Sequence, residues 1–274
     1  MHSSSNNCFT SIYHRPQIAK FSTNINKGNN IIHSKKTSQL RTIPINTEVT
    51  SDKNVAPYDD IREVIKNSAE SLAVGPCVCR VGRDHWEENC RSTDVRETCL
   101  FLGNTAVYMT DLGHARQISQ EEMFELLDNA EKNGLVLQPE NNKNPNFICC
   151  CCSCCCHVLT SVKNFSKPAE YFHSNYHAKV QSEDCTACEN CVEICPMEAL
   201  TIVDEISTVD LDRCIGCGLC VLDCTGSAMM LQIKDDKHLP PENRDDMYKK
   251  IMVERYGMTG MLKIMPKMLL GRKI

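Results

Sequence analysis

Between Cys185 and Cys224 the chain reads C-x2-C-x2-C-x3-C twice, first at Cys185, Cys188, Cys191 and Cys195, then at Cys214, Cys217, Cys220 and Cys224. No other feature restricts the fold so tightly. Three thiolates on one tight loop can each reach a different iron of a cubane, and a fourth comes from elsewhere. With two such runs, the fourth ligand is exchanged between them. The spacing therefore suits one [4Fe–4S] cluster on Cys185, Cys188, Cys191 and Cys224, and a second on Cys214, Cys217, Cys220 and Cys195. Zinc ligands come as C-x2-C pairs across a longer loop. A disulfide framework would face many competing pairings among sulfurs so close together.

An internal repeat supports the same pairing. Shifting the chain by 29 residues lays Cys185 on Cys214 and Cys195 on Cys224, and matches Val192 with Val221, Ala199 with Ala228 and Ile202 with Leu231. Matched apolar positions imply a pseudo-two-fold unit, each half a short helix between small strands. Residues 179–233 resemble a bacterial-type two-[4Fe–4S] ferredoxin over the whole of that unit. Thr225 departs from the proline that follows the last ligand in the first half, Pro196. Ala187 and Glu189 stand where the second loop has Gly216 and Gly218. Glycine lets backbone N–H groups approach cluster sulfurs, so these departures predict unequal potentials.

Twenty cysteines in 274 residues indicate either a secreted scaffold or metal. No apolar run approaches the ~18 residues of a membrane span, and no secretory h-region is present. Metal in a reducing, intracellular compartment is the better explanation. A net charge of −5 argues against a nucleic-acid partner. Residues 1–47 lack Asp and Glu and are rich in Ser, Thr and Asn, so residues 1–57 are expected to be a disordered leader. Such a composition fits an organelle transit peptide as well as a plain solvated leader. In a eukaryote the first reading places the protein in the matrix of a mitochondrion-related organelle; otherwise it is cytoplasmic. Cys8 lies in this leader and is not expected to ligate.

Residues 58–178 read as a mostly helical, cysteine-rich domain. Ile61, Val64, Ile65 and Leu72 recur at helical spacing and predict a helix over 58–73 ended by Gly75-Pro76. A second helix is expected over 98–111. A third is expected over 120–132, capped by Ser119 with Glu122 and stopped at Asn133-Gly134. Leu135-Val136-Leu137 reads as a short strand and 138–147 as a polar loop. Cys77, Cys79, Cys90 and Cys99 precede a run in which seven of eight positions, Cys149 to Cys156, are cysteine. Neighbouring side chains diverge on a strand or a helix, so only a subset can address one metal centre. The candidates for this third site are Cys77, Cys79, Cys90, Cys99, Cys149, Cys151, Cys152, Cys154, Cys155 and Cys156. Arg80 and Arg83 either supply positive potential there or are simply solvated.

The layout from C-V-C-R to the ferredoxin unit, covering about 58–274, resembles a group of largely uncharacterised iron–sulfur proteins of anaerobes. In that pattern the position of Cys150 is usually polar, which makes Cys150 the least expected ligand of the run. The resemblance implies a third iron–sulfur cluster or other metal. Residues 234–274 form a basic, Met-rich helical tail, kinked at Pro266. It suits its own N-terminal domain, a partner groove or an anionic membrane surface.

The fold expected is α+β: a helical cysteine-rich domain beside a small pseudo-two-fold dicluster domain. The function expected is one-electron transfer between redox protein partners. Two alternatives stay open. One is an oxidoreductase, or its subunit, whose N-terminal cysteines act on a disulfide or small substrate. The other is a metal-binding, redox-sensing adaptor. No G-x-G-x-x-G fingerprint supports hydride chemistry.

Overall fold

A computed structural model of the chain describes residues 35–45, 55–68 and 71–269, the last nine of these by backbone alone. The Asp60 carboxylate accepts the N–H groups of Arg62 and Glu63 at 2.9 and 3.3 Å, which starts helix α1 (Ile61–Asn67). Ile61, Val64 and Ile65 are its buried face. The helix expected to reach residue 73 stops here, and Leu72–Pro76 is strand β1. Leu72 does fall on the helical period. It also opens the apolar run Leu72-Ala73-Val74, and a short apolar run fits a strand buried on both faces equally well.

The same ambiguity divides the second expected helix. Glu97–Leu102 is strand β2, and only Gly103–Asp111 is helical. The region expected to be mostly helical is therefore built on a sheet. Helices α2 (Val78–His85), α3 (Gly103–Asp111), α4 (Gln120–Lys132) and α5 (His157–Val162) accompany β1, β2, β3 (Arg116–Gln117), β4 (Val136–Pro139) and β5 (Phe147–Cys151). The five strands are all antiparallel, in the order β3-β1-β2-β5-β4. Helix α4 follows the sequence reading at its ends, where the Ser119 hydroxyl accepts the Glu122 N–H at 3.2 Å and Gly134 turns out with φ 61°; of the expected face Phe124, Leu127 and Ala130, the last two are buried, with Met123 buried where Phe124 is only half-buried.

The following unit is duplicated in its backbone as in its sequence. Strand β6 (Tyr176–Val180) pairs with β9 (Met229–Ile233), and β7 (Leu200–Val203) with β8 (Ile206–Val209). The short helices α6 (Asn190–Ile194) and α7 (Leu219–Leu222) each carry one cysteine of a run. Positive φ recurs at the 29-residue shift: Ala187 (54°) with Gly216 (66°), Glu189 (66°) with Gly218 (84°), and Glu198 (53°) with Ser227 (54°). The first loop thus adopts the left-handed turns of the second without glycine to ease them.

Part of the stretch expected to be disordered is built into the fold. Residues 35–45 carry buried Thr37, Ser38, Arg41, Thr42, Ile43 and Ile45. Leu40 bridges Glu140, Ile43 bridges Leu137, and the Ile45 N–H donates to the Cys217 carbonyl at 3.2 Å. Two cations of this stretch face carboxylates elsewhere in the chain, Lys35 on Glu170 and Arg41 on Asp59. Arg41 donates to Asp59 and to the Tyr58 carbonyl, the Arg41–Asp59 pair being 2% and 4% exposed. The Asn175 amide donates to the other Asp59 oxygen at 2.8 Å and to the His238 carbonyl at 3.1 Å. Burial and the neighbouring His173 push His238 down to about 3, and its neutral ring stacks on His173. Asn141 spends its amide N–H on the Ser38 carbonyl, so its Oδ1, 3.0 Å from His238 Nε2, is the acceptor. Residues 1–34, expected to complete the leader, lie outside the described residues.

The tail forms helix α8 (Arg244–Leu269), interrupted at Gly257 (φ 66°, ψ 171°) rather than at Pro266. Its first turns pack on the same chain, with Met247 and Ile251 buried and Tyr248 and Glu254 accepting from Gln39 and Thr37. Among the described residues, no helix is long and apolar enough to cross a membrane.

Arg41→Leu leaves the Asp59 carboxylate buried and unpaired. We expect it to cost about 3–5 kcal/mol in anaerobic guanidinium unfolding. Arg62→Leu, which breaks the exposed pair with Asp128, is expected to cost under about 1 kcal/mol.

Candidate metal centres

Two cavities lie within the duplicated unit. One is lined by Cys214, Cys217 and Cys220 together with Cys195 from the other repeat. The second is lined by Cys185, Cys188 and Cys191 together with Cys224. Each cavity thus gathers three cysteines of one loop and the last cysteine of the opposite run. The exchange arises because α6 and α7 pack together, and each run leaves its helix pointing at the other half. Apart from sulfur the walls are mainly apolar: Met197, Ile215 and Leu231 in the first cavity, Ile202 and Met229 in the second.

The donor set fits iron–sulfur clusters. Backbone N–H groups of Ala178, Ala199 and Ser207 donate to the sulfurs of Cys214, Cys195 and Cys185 at 3.3, 3.2 and 3.4 Å. Such bonds favour thiolate and tune cluster potential. Burial pushes the thiols of Cys217, Cys220 and Cys195 up, so bare thiolates are disfavoured in that cavity. A cationic centre is what allows four of them to be held together. In the other cavity one sulfur reaches the surface. Cys188 is exposed, and the Asn190 N–H followed by the Thr225 hydroxyl lowers its pKa.

The N-terminal cysteines divide into two sets. Strand β5 sends Ile148 and Cys150 to one face and Cys149 and Cys151 to the other. Beyond it the chain turns through residues 152–155 before α5, so successive thiols no longer diverge. Cys152, Cys154 and Cys155 meet Cys90 from the loop after α2, all four sulfurs lying within 4.8 Å of one another. The Cys90 sulfur is 3.8 Å from Cys152 and 3.5 Å from Cys154, and Cys154 is 3.6 Å from Cys155.

The remaining candidates form a chain of side-chain interactions: Cys77 with Cys79, Cys79 with Cys156, Cys156 with Cys151, Cys151 with Cys149, and Cys149 with its cross-strand neighbour Cys99. Cys150 belongs to neither set, and its carbonyl accepts from Arg80 at 2.9 Å. Arg83 pairs with Glu88, whereas Arg80 is wholly buried. His157 starts α5, where burial lowers its pKa, and it does not join the quartet. The sequence placed all ten cysteines as candidates. It could not sort them, because the turn at 152–155 carries none of the usual Gly, Pro or Asn signals.

A Cβ on Gly216 would lie 2.2 Å from the Tyr176 carbonyl oxygen and 2.6 Å from Ser174 Oγ, at a φ of 66°. Gly216→Ala must therefore displace the loop between Cys214 and Cys217. We expect anaerobically purified Gly216→Ala to carry roughly half the wild-type iron and sulfide, while Gly113→Ala, with nothing within 4 Å, keeps all of it.

Comparison with known proteins agrees with this geometry. Residues 177–225 match the family described as the 4Fe-4S dicluster domain. An uncharacterised ferredoxin of Methanocaldococcus jannaschii is 44% identical over 50 residues, 18% of this chain and 33% of that protein. Pyruvate synthase subunit PorD of Methanothermobacter marburgensis is 30% identical over 53 residues, 19% of this chain and 62% of that subunit. A ferredoxin of Rickettsia felis is 34% identical over 47 residues, 16% of this chain and 43% of its relative. The matched segment spans less than two thirds of each of these relatives. No solved structure matches the chain. The chain therefore carries a ferredoxin-like iron–sulfur domain, with the cysteine-rich sheet region and the basic tail lying outside the matched segment.

Proposed function

We propose that this protein carries single electrons between redox proteins, using two [4Fe–4S] clusters. The observation that carries the reading is the composition of the two cavities, each closed by one cysteine of the opposite run. Cys185, Cys188, Cys191 and Cys224 would hold one cluster, and Cys214, Cys217, Cys220 and Cys195 the other. When bound, such clusters supply reversible one-electron chemistry. The protein supplies position, exclusion of water and hydrogen bonds to sulfur. It also supplies an entry face, since Cys188 is exposed whereas Cys214, Cys217 and Cys220 are buried.

The rim of that face is acidic. Glu183, Asp184, Glu189 and Asp223 are exposed around Cys188 and Cys224. A partner docking there is a redox protein with a basic surface, drawn by charge complementarity. The name of the archaeal relative, a subunit of pyruvate synthase, supports a place beside an oxidoreductase in the same way. The tail serves its own fold through at least residue 254, which leaves a membrane or partner role to the part beyond.

Two outcomes test the proposal. Cys224→Ser is expected to abolish the cluster of the Cys185 loop and spare that of the Cys214 loop, although residue 224 belongs to the second run. EPR of the reduced variant reads which signal survives, and loss of the Cys214-loop signal instead would contradict the exchange. Electron transfer to a basic redox protein such as a cytochrome c is expected to slow by about tenfold or more between low and high salt. Salt-independent rates would remove the acidic face as the docking site.

A further inference from the structure

The Cys90 quartet differs in size from the two ferredoxin quartets. Among the described residues it is the one set of ligand atoms lying within 4.8 Å of one another. The eight cysteines around the two cavities do not gather so closely, as expected where each sulfur serves a separate iron of a cubane. Thiolates sharing one tetrahedral ion at about 2.3 Å stand about 3.8 Å apart. Three of the quartet's six sulfur separations, 3.8, 3.5 and 3.6 Å, lie near that edge, and the others are within 4.8 Å.

A second observation concerns charge. Arg80 is 0% exposed, yet among the described residues no carboxylate pairs with it. Its guanidinium donates to Thr98 Oγ1, to the Val95 carbonyl at 3.4 Å and to the Cys150 carbonyl, all neutral groups, and its Nε has no partner. Its side chain also interacts with Cys77, outside the quartet, and with Cys152 and Cys90 of the quartet. A buried cation of this kind needs a nearby anion. Four thiolates on one divalent ion leave a net charge of about −2, which supplies it. Ser92, whose hydroxyl lies 3.2 Å from the Cys154 sulfur, adds a donor at the solvent side.

We infer that Cys90, Cys152, Cys154 and Cys155 bind a single tetrahedral thiophilic metal ion, zinc or iron, and not a third cubane. Arg80 is its buried counter-charge. The ion pins the loop after α2 to the turn before α5, two segments that share no sheet pairing.

The test is the excess of metal over acid-labile sulfide in the full-length protein purified without oxygen. Cubanes contribute iron and sulfide equally, whatever their number. The quartet ion contributes metal alone. We expect zinc plus iron to exceed sulfide by about one per chain, and Cys154→Ala to bring the excess to zero with sulfide unchanged. If the ion is zinc, absorption at the zinc edge shows four sulfurs at about 2.3 Å. If it is iron, the oxidised protein has a high-spin ferric signal that Cys154→Ala removes. An excess of zero in the wild type overturns the inference, as does an excess that survives both Cys154→Ala and Cys90→Ala. If either variant fails to fold, the wild-type excess and its absorption edge still decide. Sulfide below about eight per chain counts against the two-cluster reading instead, so the two ideas fail separately.

Discussion

A buried thiolate in this protein needs something positive beside it. Apolar walls raise the thiol pKa values of Cys195, Cys217 and Cys220, and among the described residues no lysine or arginine lines that cavity to offset the effect. Iron is the cation that reconciles an apolar lining with four thiolates. The local backbone follows from that need. Left-handed turns at Gly216 and Gly218 direct consecutive cysteines inward, and the first repeat repeats those turns at Ala187 and Glu189 despite the steric cost of a side chain. A backbone that accepts strain in one copy and uses glycine in the other is being held to a fixed template.

The sheet region meets the same requirement by different means. Its quartet is tighter, and beside it stands a buried arginine in addition to backbone N–H donors to Cys152 and Cys154. Both regions contribute to one continuous apolar core, in which Cys152, Cys155 and Leu159 are joined with Met197, Ile215 and Leu219. Residues 37–45 and the segment before α8 close around that core through Arg41, Asp59, Asn175 and His238, and the start of α8 adds Tyr248 to Gln39 and Glu254 to Thr37. Segments far apart in sequence therefore support the floor of the first cavity, where the Ile45 N–H meets the Cys217 carbonyl.

How much of this was legible in the sequence depends on the length of the signal. The ferredoxin-like unit was readable because metal-ligand spacing is a chemical constraint, indifferent to the surrounding fold. Helix α4 was readable because its cap, its apolar face and its terminating glycine all agree. Strands β1 and β2 were misassigned because Leu72-Ala73-Val74 and Leu100-Phe101-Leu102 are apolar on both faces and so have no period. Residues 35–45 read as leader because their partners, Asp59, Leu137, His173 and Glu254, are all distant in sequence. The split of the cysteine run depended on a turn whose one conventional turn residue is Ser153.

Two cubanes that exchange ligands across a pseudo-two-fold must sit close enough for their unpaired electrons to interact. EPR of the fully reduced protein is therefore the most direct measurement. Two exchanged clusters predict a simple signal at half reduction that broadens and splits into a spin-coupled spectrum when both are reduced. Two independent, unsplit signals at full reduction, or a colourless protein holding zinc at Cys185–Cys224, would contradict the exchange on which the fold and the function both rest.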